Sequence, residues 1–230
     1  MNPLLDLPIS RIREALTMMS SLTERMFKLA IQALNERDGA MADRVDAEDD
    51  QLDALEVEID ELVMAYMATR GPVATDCRFA LVATKISGKL ERIGDEATTI
   101  ARCARRLNEE PPLSAGIDLA RIVEITAGML YDSMTAFIEN TPHQALAIIA
   151  RDEEVDDLNR QLTATVADCM KSDARTIERG INMIRIVRSI ERIADQAKNI
   201  AEDVYYLHLG RDIRHGGAGQ EKPGQSQENS

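Results

Sequence analysis

Four pairs of carboxylates at i, i+4 spacing run through this 230-residue chain: Asp49 with Asp53, Glu91 with Asp95, Asp152 with Asp156, and Glu191 with Asp195. On a helix that spacing puts both acids on one face, where they repel by about 0.2–0.5 kcal/mol unless a cation or a base lies between them. Oxygen-only donors suit magnesium, manganese, calcium or iron, whereas zinc prefers His or Cys. The chemistry on offer is therefore cation binding. A single acid pair on an exposed helix is ordinarily a solvated face, so the weight here comes from repetition.

The repetition is literal. Glu91-Arg-Ile-Gly-Asp-Glu-Ala-Thr-Thr-Ile-Ala101 recurs without a gap as Glu191-Arg-Ile-Ala-Asp-Gln-Ala-Lys-Asn-Ile-Ala201, with seven of eleven positions identical. Such self-similarity marks an internal duplication. With Glu91 at 0° and about 100° per residue, Asp95 falls at about 40°, Thr98 at about −20° and Arg102 at about 20°. Ile86, Ile93, Ala97, Ile100 and Leu107 gather opposite, so the acids are expected on an outer face. The second copy repeats this, with Glu191, Asp195 and Glu202 opposite Ile193, Ala197 and Ile200. Asp49 with Asp53, and Asp152 with Asp156, lie in the helix before each motif, and antiparallel neighbours would bring the two pairs of each half together. In the earlier of these helices Asp49, Asp53, Glu56 and Asp60 form one acidic stripe. Arg102 stands where the second copy has Glu202, so the two clusters are expected to differ in charge and occupancy.

The elements that must position these acids are long amphipathic rods. Apolar residues at three- and four-residue steps predict helices from about Ile9 to Arg37, Ala40 to Thr69, Asp76 to Leu107, Ile117 to Glu139, Thr141 to Met170 and Ser172 to Leu209. Gly39 separates the first two, Arg70-Gly71-Pro72 stops the second, and Asn108-Glu-Glu-Pro-Pro-Leu-Ser-Ala-Gly116 reads as a linker. Thr141-Pro142 reads as an N-cap and first-turn pair, and Asp76 as a cap before it is a partner contact. Rods of thirty-odd residues, about 45 Å long at a 1.5 Å rise, need a bundle. The expected fold is all-α: two tandem, similar three-helix bundles, residues 1–108 and 117–209, joined by linker 109–116 and followed by a disordered tail, 210–230.

Composition narrows the function. Forty acids against twenty-seven bases give a formal charge of −13, which repels nucleic acid and anionic lipid and favours cations and basic protein surfaces. Aromatics are only 3%, so the core must be aliphatic and Met-rich. Cys77, Cys103 and Cys169 form no CxxC pair, which suits a reducing cytoplasm and small core thiols. No run of eighteen apolar residues offers a membrane span, and the first ten residues lack the pattern of an export signal. His143, His208 and His215 have no ligand partner at helical spacing, and no Glu has His three residues on, which disfavours a ferritin-like oxidase. Met18, Met19, Met26, Met64 and Met67 read as core, or else as an adaptable binding surface.

Glu-Arg-Ile-x-Asp-x-Ala-x-x-Ile, twice, preceded by Gly71-Pro-Val-Ala-Thr-Asp-Cys-Arg78 in one half and Ser172-Asp-Ala-Arg-Thr-Ile177 in the other, resembles the PhoU family of phosphate-uptake regulators. The similarity runs from the first helix to Arg211-Asp-Ile-Arg-His215. The resemblance implies metal ions (magnesium, manganese, iron or zinc) at surface carboxylate clusters. Their ligands would be Glu91 with Asp95 and Glu191 with Asp195, joined less firmly by Asp49, Asp53, Asp152 and Asp156. It also implies a regulator without catalysis, a negative regulator of the phosphate-starvation response. That regulator would be a homodimer in the cytoplasm, held near the inner membrane by its partners, the ATPase subunit of the phosphate-specific ABC transporter and a phosphate-sensor histidine kinase. The alternative is a metal-storage protein or metal-dependent enzyme using the carboxylates, which outward-facing acids in an open setting disfavour.

Overall fold

The computed structural model describes residues 3–113, 116–211 and 213, and among them there are helices and turns but no strand. In chain order the helices are α1 (Pro3–Asn35), α2 (Gly39–Arg70), α3 (Thr75–Asn108), α4 (Ala120–Glu139), α5 (Gln144–Ile149), α6 (Asp152–Ser172) and α7 (Ile177–Leu209). A 3-10 turn, Ala174–Thr176, leads into α7. The all-α, duplicated architecture is as expected. The expected tail lies outside the described residues, apart from Gly210, Arg211 and Ile213.

Local chemistry sets most of the boundaries. Asp38 caps α2 by accepting a hydrogen bond from Ala40 N at 2.8 Å. Gly71 closes that helix in the left-handed region, at φ 53°. Two expected caps are not made. Asp76 lies inside the first turn of α3, whose N-cap position is Ala74, and offers its charge to the helix end rather than a capping bond. Thr141 is spent on closing α4, because its N–H bonds Ala136 O at 3.0 Å beside left-handed Asn140. Helix α5 therefore starts only at Gln144.

The fifth rod is also interrupted. Ala150 and Arg151 keep right-handed dihedrals, but the bonding tightens to Arg151 N donating to Ile148 O at 3.0 Å, while Arg151 turns its guanidinium onto Asp132 of α4. The expected single helix is thus α5 and α6 in succession.

Helices α1, α2 and α3 pack mutually, α4, α5 and α6 pack on α7, and α3 packs along α7. One continuous apolar core runs through both halves. Arg78 donates to Leu207 O at 3.2 Å, Lys85 meets Asp203 at 3.5 Å, and Arg192 donates to Glu96 at 3.0 Å, so α3 and α7 are antiparallel. The pairing has the pattern of an approximate two-fold exchange. Lys85 faces Asp203, and the corresponding Arg185 lies near enough to Cys103 to act on its thiol. The linker is tied down as well, with Arg37 donating to Leu107 O and Asn108 O, and Arg179 to Pro111 O at 2.7 Å.

Met19 and Met26 are fully buried as expected, but Met18, Met64 and Met67 are 61%, 68% and 40% exposed and belong to no core. Cys103 and Cys169 are buried; Cys77 is half-buried and donates to Pro72 O. No helix among the described residues is long and apolar enough to cross a membrane.

Candidate cation site

The first acidic cluster is assembled by a close helix crossing. A Cβ placed on Gly94 of α3 would lie 2.1 Å from Leu52 Cδ2 of α2, so the bare glycine leaves room for the Leu52 side chain that any larger residue would push aside. Leu52 is flanked by Asp53 and lies three residues after Asp49; Gly94 is flanked by Asp95 and lies three after Glu91. Both acid pairs are thereby drawn to one seam. Thr98 shows the effect of the covering helix. Periodicity alone turns it outward with the acids, but in the fold it is 2% exposed and donates to Gly94 O at 3.1 Å. The acids occupy the mouth of a seam rather than a free outer face.

Electrostatics shows how tightly they are grouped. Burial pushes the Glu91 carboxyl up to about 7, helped by the charges of Asp95, Glu56 and Asp53 and opposed by Arg92. Asp49 is raised by burial and then by Asp53 and Asp95, against a Thr98 hydrogen bond and the Arg102 charge. Glu56 is raised by burial and then by Asp60, Asp53 and Asp95. Among the described residues none of Asp49, Asp53, Glu56, Glu91 and Asp95 has a basic partner in an ion pair. The sequence listed Glu56 only as part of a stripe. Its Oε1, 3.7 Å from where a Cβ on Gly88 would stand, is the ligand candidate that helical spacing alone did not separate from Asp60.

The second cluster has the same acids and a different occupant. Burial raises the Glu191 carboxyl, with Asp156, Asp195 and Asp152 adding to it and Arg192 opposing, so α6 and α7 do bring their pairs together. Into this group reaches Lys198, whose Nζ donates to Asp152 Oδ2 at 2.5 Å and Asp195 Oδ1 at 3.5 Å. Asn199 also donates to Asp195, at 3.1 Å. Desolvation would lower the Lys198 ammonium, but the bond and charges of Asp152 and Asp195 outweigh it and hold it above its ordinary value. Lys198 is the residue of this group that motif reading missed, although the repeat displays it, since position 98 in the first copy is threonine. Of the two residues noted at the matching position, Arg102 has its Nε 3.7 Å from Asp46 and its charge opposes the rise at Asp49.

Among the described residues no three Asp, Glu, His or Cys side chains are placed as a ready cage for an ion. The first cluster nevertheless has the donor chemistry for a hard divalent cation: five carboxylates, none of them in an ion pair among the described residues, with only the more distant charges of Arg92 and Arg102 opposing theirs.

A pH dependence follows. Because the folded state raises the Glu91 pKa from 4.5 to about 7, folded protein keeps a proton that unfolded chain releases, and stability falls as pH rises between those values. Solvent screening of a partly open side chain leaves about 1 kcal/mol of this effect. In chelator-treated protein, urea midpoints measured from pH 5 to 8 should decline, and Glu91→Gln should flatten the decline. An equal slope in the variant would reject the assignment.

The model of the PhoU domain matches residues 16–104 and 119–204, one copy in each half. A phosphate-specific transport system accessory protein PhoU homolog of Pseudomonas putida is 36% identical over 210 residues, 91% of this chain and 82% of that protein. The phosphate-specific transport system accessory protein PhoU of Escherichia coli K12 is 32% identical over 91% of this chain and 87% of its own length. The crystal structure of PhoU from Pseudomonas aeruginosa superposes with a TM-score of 0.86 at 34% identity, covering 89% of this chain and 99% of that one.

Proposed function

The chain belongs to the PhoU family, and on that premise we propose that it is a non-enzymatic accessory protein of a phosphate-specific transport system that damps the phosphate-starvation response when phosphate is plentiful. It acts as an adaptor between the ATPase subunit of the transporter and a phosphate-sensor histidine kinase. It works as a homodimer in the cytoplasm, reaching the inner membrane through these partners. The observation that carries the reading is coverage: both halves match the family, and relatives named as transport accessory proteins align with 91% of the chain. The charge of −13 supports it by favouring basic protein surfaces over lipid or nucleic acid.

In the same reading a divalent or iron ion is held by Glu91, Asp95, Asp49 and Asp53, with Glu56 beside them. Magnesium, manganese or iron suits these oxygens better than zinc does. The ion would neutralise the repulsion across the seam between α2 and α3, and so make the spacing of those helices responsive to occupancy. Deleting the gene should switch on starvation-response genes in high phosphate, measured by transcript levels, with restoration by the intact gene. Full repression in the deletion strain would reject the proposed role.

A further inference from the structure

We infer that Lys198 is the permanent counter-ion of the second carboxylate cluster, so that of the two duplicated clusters only the one between α2 and α3 takes a hard divalent cation. The inference rests on the cation reading of the first cluster given above, and departs from it for the second.

The geometry is that of an occupied site. Lys198 Nζ sits between the helices, 2.5 Å from Asp152 Oδ2 and 3.5 Å from Asp195 Oδ1, on a side chain only 26% exposed. An ammonium has three donors and a full positive charge, and here it takes one oxygen from each of the two facing acid pairs. A hard cation would need those same oxygens, at about 2.0–2.6 Å, and would have to share the space with a like charge. Asn199 already uses the other Asp195 oxygen, Oδ2.

The first copy lacks this device for a reason visible in the alignment of the repeats. Position 98 is threonine, and its short hydroxyl donates to Gly94 O at 3.1 Å. No ammonium can reach the first cluster from that position. One substitution between copies therefore converts a site that invites a cation into one that carries its own. The duplicated halves then differ in kind: the second seam is locked by a covalently attached charge, whereas the first depends on the supply of a dissolved one.

Manganese binding by the full chain, counted from the electron paramagnetic resonance signal of the free ion, tests this. Asp195→Asn should leave the wild-type count unchanged, and Asp95→Asn should lower it. Lys198→Thr should add one equivalent, which Asp195→Asn in the same chain should remove. Lys198→Gln, which keeps the packed stem, should add the same equivalent if the threonine variant folds poorly, and Lys198→Arg should add none. A lower count in Asp195→Asn alone, or no gain in a folded Lys198→Gln protein, would overturn the inference. Wild type binding no manganese while Lys198→Gln binds one would uphold Lys198 as the counter-ion of the second cluster and reject the cation reading of the first.

Discussion

Phe137→Ala is expected to lower the stability of the whole chain by about 3–5 kcal/mol. Phe137 of α4 is fully buried, and its ring stacks on Phe79 of α3 with centroids 6.3 Å apart and planes 12° from parallel. Arg13 of α1 lies 5.0 Å from one ring centroid and 5.1 Å from the other, and donates to Phe137 O and Asn140 Oδ1, both at 3.2 Å. Alanine removes the large ring, leaves a cavity at the junction of three helices, and takes away one face on which the guanidinium rests. Because α1 and α3 belong to one repeat and α4 to the other, the loss should be felt by both. In urea the midpoint should fall with little change in slope and a single transition. Two separated transitions would show that the repeats are energetically independent, contrary to one shared core.

The second large effect is expected at Asp203. Its side chain is 4% exposed and receives Lys89, 17% exposed, and Lys85, 33% exposed, from the facing helix α3. Alanine would leave two partly buried ammonium groups beside each other with no acid between them, a change expected to cost about 3 kcal/mol. The cost arises from the orphaned charges rather than from any large net value of the pair. Asp203→Leu combined with Lys89→Met should therefore recover much of the loss, since it removes the more buried of the two orphaned ammonium groups. If the double variant is as unstable as Asp203→Ala, charge is not the cause. The expectation is checked by denaturant midpoints for all three proteins in the same buffer.

These two positions bear on function because α3 and α7 each carry one copy of the acidic motif. Lys85, Lys89 and Asp203, with Arg192 on Glu96, fasten the two motif helices along their shared side. The clusters open instead toward α2 and α6. A cation arriving at Glu91 and Asp95 would thus act on the spacing of α2 against a braced α3–α7 pair. The second seam is bridged by Lys198 on Asp152 and Asp195.

Much of this was legible in the chain itself. The repeat of Glu91 to Ala101 as Glu191 to Ala201 determined the duplication, and apolar spacing determined the rods and the side on which Glu91, Asp95, Glu191 and Asp195 would emerge. These are properties of one helix at a time, fixed by a period of about 3.6 residues. The caps at Asp76 and Thr141 failed as expectations because backbone bonds at a helix end compete with the side chain, and residue type alone does not decide that contest.

Tertiary structure decided everything that depends on distance between helices. Leu52 seated on Gly94 sets how close α2 comes to α3, which buries Thr98, lifts Glu91 to about 7 and adds Glu56 to the first cluster. The packing of α6 against α7 likewise lets Lys198 of α7 reach Asp152 of α6. Electrostatic coupling falls with separation and with exposure to water, and both are set by packing rather than by spacing along the chain. The sequence thus determined two repeated sets of acids, set apart there by Arg102 against Glu202, and the fold gave the second of them a counter-ion in Lys198.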